Sequence, residues 1–223
     1  MGPGVDKLFL NLNGKPVVAH TWKKFDAAKC IDEIVLVIRQ EMESAFQEMA
    51  REENLAKPFR LIPGGRERQD SVWNGLQALN KTCEIVSIQD AARPCTDPTL
   101  IEATVQTAQR MGAAVAAQAI TDTIKESSDG RIIERTLDRS RLWSVQTPQT
   151  FRVDVIRGAL KEVRERGLLV TDDTAACELV GQRVELVVSN APNPKVTRPE
   201  DVPYVELVLR NLETGVNQRK SPR

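Results

Sequence analysis

The chain contains a single histidine, His20, in 223 residues. That excludes metal centres and proton relays built on several imidazoles. Its four cysteines, Cys30, Cys83, Cys95 and Cys177, form no CxxC pair and have no histidine partners for zinc, so they read as reduced thiols of a cytosolic protein. Aromatic residues make up only 4%, too few for a platform on which single-stranded bases could stack. An excess of charge is also lacking. The 31 basic residues balance 31 acidic ones, which argues against a nucleic-acid partner or an anionic membrane but leaves room for a local basic groove. No apolar run approaches the ~20 residues of a membrane-spanning helix. The opening Met-Gly-Pro-Gly-Val-Asp-Lys lacks the charged and apolar regions of a secretory signal, which points to the cytoplasm.

What is present is a hydrophobic content of 41%, enough for the core of one globular domain over residues 1–223. Short apolar runs alternate with amphipathic stretches. Strands are expected at Ile34–Ile38, Phe59–Ile62, Glu84–Ile88, Ala113–Ile120, Trp143–Phe151 and Val184–Val188. Between them lie helices over Pro16–Phe25, Glu41–Leu55, Gln69–Leu79, Pro98–Met111, Val153–Arg166 and Asp172–Val180, with a last one from Pro199. Asp97-Pro98 supplies an N-cap and a first-turn proline. This order predicts an α/β fold, a mostly parallel sheet with helices on both faces. One segment breaks the rhythm. Residues 121–140 read as a polar hairpin turning at Ser127-Ser-Asp-Gly130, a projecting β-arm suited to docking a second subunit. Residues 214–223 read as a disordered tail.

In such a sheet, ligands bind outside the carboxyl ends of the strands. After the second strand comes Pro63-Gly-Gly-Arg-Glu-Arg-Gln-Asp-Ser71, whose glycines permit close backbone approach before a helix. The third strand is followed by Gln89-Asp-Ala-Ala-Arg-Pro94, a carboxylate and a guanidinium separated by two small residues that suggest a tight passage beside a ligand. Asp and Arg this close could equally pair with each other. Lys195 follows the last strand and reads as readily as an ordinary surface lysine. Thr171 is explained by helix capping alone. His20 fits a partly buried core position on a helix.

The order of these motifs is more informative than any one of them. Lys7-Leu-Phe-Leu with Gly14-Lys-Pro16, Gly64-Gly-Arg-Glu-Arg-Gln-Asp-Ser-Val72, Asp90-Ala-Ala-Arg-Pro94, Asp122-Thr-Ile-Lys125, Asp138-Arg139, Leu142-Trp143, Gln146-Thr-Pro-Gln149, Thr171-Asp-Asp173 and Lys195-Val-Thr-Arg-Pro-Glu-Asp201 together resemble the 2-C-methyl-D-erythritol 4-phosphate cytidylyltransferase family. The resemblance runs from Met1 to about Glu206. It implies a Rossmann-like sheet of the nucleotide-diphospho-sugar transferase type. The implied reaction joins CTP to methylerythritol phosphate with loss of pyrophosphate, in the non-mevalonate isoprenoid pathway. Such chemistry needs cations and positioning, not a protein nucleophile. Mg²⁺ is implied as cofactor, bound mainly through the CTP phosphates, with no protein metal site.

Carried over residue by residue, the resemblance implies that Lys7 and Lys195 contact the α-phosphate. Gly65, Arg66 and Ser71 surround cytosine. Asp90 and Arg93 hold the polyol phosphate, and Thr147 and Thr171 complete that pocket. Thr123 and Arg139 lie on or beside the arm, where a homodimer would lend them to the partner's site. Two alternatives stay open, a ribitol 5-phosphate cytidylyltransferase and a non-catalytic dimeric binding protein.

The family opens with a strand and a glycine-rich loop of the form Ala-Ala-Gly-x-Gly-x-Arg-Met-Gly that wraps the triphosphate and supplies a catalytic arginine. Met1-Gly2 matches only the end of that pattern. The expectation is that Met1 is an internal methionine of a protein extending roughly 20 residues further upstream. A plastid location then stays compatible with the sequence. Without that strand, two neighbouring strands would carry exposed apolar surface and unpaired backbone groups, leaving this chain as written destabilised and inactive, whereas the extended protein should work. Gln89 is a smaller departure, standing where the family often has histidine.

Overall fold

The computed structural model describes residues 6–214. The opening residues 1–5 and nearly all of the expected tail, 215–223, lie outside the described residues. A short hairpin of β1 (Asn11–Leu12) and β2 (Lys15–Pro16) leads into α1 (Val17–Ala27). Then follow β3 (Ile34–Ile38), α2 (Glu43–Glu52), β4 (Phe59–Pro63), α3 (Arg68–Gln77), β5 (Ile85–Ile88), α4 (Pro98–Met111) and β6 (Ala113–Ala119). The arm carries β7 (Lys125–Glu126) and β8 (Arg135–Thr136). The chain continues through β9 (Trp143–Arg152), α5 (Val153–Glu165), α6 (Asp173–Leu179) and β10 (Glu185–Val188) to α7 (Val202–Glu213).

The main sheet has the order β10-β6-β9-β5. β10 and β6 pair in parallel and β9 runs antiparallel to both of its neighbours, so β5, β6 and β10 share one direction against β9 alone. The parallel pair β3-β4 forms a separate sheet. Among the described residues, β3 pairs only with β4 and β5 only with β9, and Ile34–Val37 and Ile85–Ile88 are half-buried where β6 is buried.

Successive residues of a strand point to opposite faces. Ala113 to Ala117 are all at most 2% exposed, so both faces of β6 are covered. α4 lies across β6, β9 and β10, and α5 packs on β9 with α3 and α6 beside it. Phe151, Ile156, Leu160 and Val163 fill the α5 side of the core. Full burial of such side chains contributes roughly 1.5–3 kcal/mol each. A second core of Trp22, Phe46 and Met49 joins α1 and α2 to β3. A third, with Leu12, Val17, Val205 and Leu209, holds α7 against the first hairpin.

Most expected elements occur within one or two residues of their predicted limits. Asp97 caps α4, its Oδ1 accepting from the Thr99 N–H at 2.7 Å. Three details differ. Residues 40–42 and 199–201 form 3-10 turns, so α2 and α7 begin later than expected from Glu41 and Pro199. Asp172, not Thr171, is the N-cap of α6, its Oδ1 accepting from the Ala175 N–H at 2.9 Å. The arm pairs over two residues on each strand only, Lys125 with Thr136 and Glu126 with Arg135. Asp129 and Glu134 draw backbone N–H groups of the intervening loop onto their carboxylates, in place of a longer ladder.

Candidate active site

β5 ends at Ile88, and the loop that follows folds back tightly, with the Arg93 N–H donating to the Asp90 carbonyl at 3.1 Å. The two alanines inside it pack into the fold. Ala92 is buried beside Val196, Ala91 packs on the Trp22 core, and the Ala91 carbonyl accepts from the Thr21 hydroxyl at 2.7 Å. The Val196 N–H donates to the Ala92 carbonyl at 2.8 Å and brings the loop after β10 alongside.

That adjacency gathers the charges. The Lys195 Nζ lies 2.9 Å from Oδ2 of Asp90, and Arg93 Nε lies 3.5 Å from the same oxygen. The Asp90 N–H donates to the Thr147 hydroxyl at 3.0 Å. Burial alone would raise the Asp90 pKa. The hydrogen bond and charge of Lys195, with Arg93 and Arg68 beyond it, outweigh burial and hold the carboxyl below its ordinary value. For Arg93 burial dominates and lowers its pKa despite the neighbouring Asp90.

The glycine loop sits on the N-terminus of α3. The Gly65 N–H donates to the Ser71 hydroxyl at 3.0 Å. A Cβ on Gly65 would fall 2.3 Å from Cβ of Asp70, so no other residue fits this path without movement. Glu67 and Asp70 form a reciprocal capping box at the same helix end. Arg68, one residue on, reaches across to α6, where its Nη2 lies 2.6 Å from Oδ2 of the fully buried Asp173. The other oxygen of Asp173, Oδ1, is buried without a hydrogen-bond partner, and burial pushes this carboxyl up.

The loops at the strand ends hold cations about one carboxylate, with a glycine loop on the N-terminus of α3. Such an arrangement can bind phosphates and a hydroxylated ligand, and it offers no imidazole, because the only histidine has its Nε2 2.7 Å from the Leu12 carbonyl. Those are the requirements of phosphoryl and nucleotidyl transfer. The sequence matches the family model for 2-C-methyl-D-erythritol 4-phosphate cytidylyltransferase over residues 1–211. The chain belongs to this family. It is 39% identical over 222 residues to the 2-C-methyl-D-erythritol 4-phosphate cytidylyltransferase of Clostridioides difficile, covering 99% of this chain and 93% of that one. To the enzyme of the same name from Dehalococcoides mccartyi it is 41% identical over 207 residues, 93% of this chain and 89% of the relative. Among solved structures, 4-diphosphocytidyl-2C-methyl-D-erythritol synthase from Anaerococcus prevotii superposes with a TM-score of 0.84 at 28% identity, covering 91% of this chain and 93% of that one. The Rossmann-like α/β fold is shared with these cytidylyltransferases.

Within this cytidylyltransferase, the residues expected from sequence fall into two groups. Asp90, Arg93, Thr147 and Lys195 form one bonded cluster, and Gly65 and Ser71 are bonded to each other. Among the described residues no hydrogen bond or ion pair joins Lys7, Arg66, Thr123, Arg139 or Thr171 to that cluster. Lys7 opens a 3-10 turn, Arg66 and Thr171 are exposed, and Thr123 and Arg139 lie exposed on the arm side, where Arg139 Nη1 donates to the Thr121 carbonyl at 2.6 Å. Sequence reasoning assigned no individual role to Arg68, Asp173, the half-buried amide of Gln118 or the buried amides of Gln146 and Asn193. A signal existed for the amides. Gln146-Thr-Pro-Gln-Thr150 is a polar run inside a strand that has to be central, and such groups require buried partners.

Proposed function

We propose that the protein catalyses transfer of a cytidylyl group from CTP to 2-C-methyl-D-erythritol 4-phosphate, through a single domain that includes residues 1–223, with residues 121–140 as its arm. An oxygen of the substrate's phosphate attacks the α-phosphorus of CTP. The bond from that phosphorus to the oxygen bridging to the β-phosphate breaks, and pyrophosphate leaves with the electron pair. The product is the cytidine diphosphate ester of methylerythritol, an intermediate of non-mevalonate isoprenoid synthesis.

The observation that carries this reading is the cation cluster at Asp90. Lys195 and Lys7 stabilise charge on the α-phosphate, and Asp90 and Arg93 orient the polyol phosphate, with Thr147 and Thr171 beside it. Gly65, Arg66 and Ser71 read cytosine. No cluster of three ligating side chains occurs among the described residues, and the Asp90 carboxylate is already engaged by Lys195. The resemblance to the family implies that Mg²⁺ would be bound mainly through the triphosphate, a coordination in which phosphates and water supply most ligands. Bound there, it would supply positive charge beside the departing pyrophosphate.

A homodimer joined by the arm is part of the same reading. Ile132 and Ile133 are 71% and 60% exposed on the arm's loop. Val145, Ala117 and Val188 are register partners, so Val145 and Val188, both exposed, share one sheet face near the arm's base with Trp143. A second copy would cover this apolar surface and receive Thr123 and Arg139 into its own site. Among the described residues no helix is long and apolar enough to cross a membrane. We assign the protein to the cytoplasm, where CTP is available.

The test is pyrophosphate release with CTP, Mg²⁺ and either methylerythritol phosphate or ribitol 5-phosphate. Turnover with the first and not the second is the expected result. Preference for ribitol phosphate would move the assignment to the related polyol enzyme, and binding without turnover of either would leave a binding protein.

A further inference from the structure

Arg93 and Lys195 reach Asp90 from two loops, and a single buried side chain ties those loops together. Asn193 is 2% exposed. Its Nδ2 donates to the Gln146 side-chain carbonyl at 3.2 Å and to the Thr147 main-chain carbonyl at 2.9 Å, and its Oδ1 lies 3.1 Å from the hydroxyl of Thr96. Its own main-chain carbonyl accepts from Arg93 Nη1 at 2.6 Å. Arg93 has no other side-chain hydrogen bond among the described residues, because its buried Nε finds no partner within hydrogen-bond geometry. The Asn193 carbonyl, on the side away from the 3.5 Å ion pair with Asp90, therefore helps to set the direction of the guanidinium.

The side chain of Asn193 is held on every side. Gln146 Nε2 donates to Gln118 Oε1 at 3.0 Å, and Gln118 Nε2 donates to the Ala191 carbonyl at 3.1 Å, two residues before Asn193. The chain of amides thus leaves the loop after β10, crosses β9 and β6, and returns to the same loop. On the other side, Thr96 receives the Gln89 Nε2 at 2.9 Å and so joins the loop after β5. Each of these groups is buried or half-buried, and one left unpaired is costly, which fixes a single arrangement.

We infer that Asn193 is a positioning residue for the transfer reaction: its amide fixes the loop that carries Lys195, and its carbonyl fixes the guanidinium of Arg93. This rests on the reading of Asp90, Arg93 and Lys195 as the site. The competing account is a network that only stabilises the fold.

A double-mutant cycle on kcat in the full chain separates the two. Asn193→Ala should lower kcat by about 10- to 100-fold, the scale of a misplacement near 1 Å. Added to Arg93→Lys, it should lower kcat by less than about threefold more, because both changes disturb the same guanidinium. Thr96→Val preserves the shape of the side chain and should act in the same direction, more weakly, and it decides the matter if Asn193→Ala does not fold. Ser87→Ala, which breaks the 3.0 Å hydroxyl pair with Thr150 in the same sheet, should lower Tm and leave kcat unchanged. Losses that multiply in the cycle, or Asn193 and Thr96 variants that behave like Ser87→Ala, would overturn the inference. An Arg93→Lys enzyme with unaltered kcat would instead remove the site reading, and the inference with it.

Discussion

The Lys195 Nζ and the Asp90 Oδ2 stand 2.9 Å apart and join the loop after β10 to the loop after β5. A carboxylate held below its ordinary pKa contributes stability above the unfolded value, near 3.9, and loses it as pH falls through the folded value. Asp90→Asn should therefore cost about 1–3 kcal/mol at neutral pH by leaving the partly buried Arg93 without its counter-charge. The gap between wild type and variant should close below about pH 4. Denaturant midpoints between pH 3 and pH 7 measure this, and a gap independent of pH would show that the ion pair contributes nothing.

Gly65 is pressed onto the first turn of α3. A Cβ would lie 2.3 Å from Cβ of Asp70 and 2.9 Å from its carbonyl carbon, so Gly65→Ala has to move the loop away from the helix. The expected outcome is a raised KM for CTP together with a loss of about 1–3 kcal/mol, the usual cost of overpacking. Steady-state kinetics and thermal melts on the same preparation would show both, and an unchanged KM for CTP would dissociate the loop from the nucleotide.

Arg68 is 40% exposed at its side chain, and Asp173 is fully buried. Burial raises the Asp173 pKa, so the folded state disfavours its ionised form and loses stability as pH rises from the ordinary carboxylate value through the folded one. Arg68→Ala removes the only opposing charge in contact among the described residues and widens that window upward. It should cost about 3 kcal/mol near neutral pH. The loss should shrink on acidification, and Asp173→Asn in the same chain should recover most of it. Failure of that second change to rescue stability would mean that Arg68 acts through packing.

How far this was legible in the sequence differs between fold and site. Alternating apolar runs and amphipathic stretches locate β3 to β6 and α3 to α5 closely, because burial of one stripe or both faces leaves a periodic record. The loop residues Asp90, Arg93 and Lys195 could be singled out only as candidates, since the register that brings residue 195 beside residue 90 is a property of the folded sheet. The pairing of Arg68 with Asp173 and the ring of amides around Asn193 join residues far apart in the chain. Apart from Gln146, which lies in a polar run inside a central strand, nothing local distinguishes their polar side chains from surface ones. The arm shows the opposite error. Residues 121–140 read as a hairpin, but its strands pair over only two residues each, and Asp129 and Glu134 bond backbone that a longer ladder would have used.

If the arm lends residues to a second copy, each site takes Asp90 from one subunit and Arg139 from the other. Asp90→Asn and Arg139→Ala should then each abolish activity alone, while Ile132→Asp together with Ile133→Asp should shift the protein towards monomer in sedimentation. The mixing experiment is the stricter test. Unfolded and refolded together in equal amounts, the two inactive variants form mixed dimers in half of all pairings, and one site of each mixed dimer has both residues intact, so about one quarter of wild-type activity should return. A mixture that stays inactive while forming dimers would place Asp90 and Arg139 in the same subunit's site, or Arg139 outside any site. Recovery near one quarter can arise only by exchange across the two-fold axis, because neither chain contains a complete set of its own.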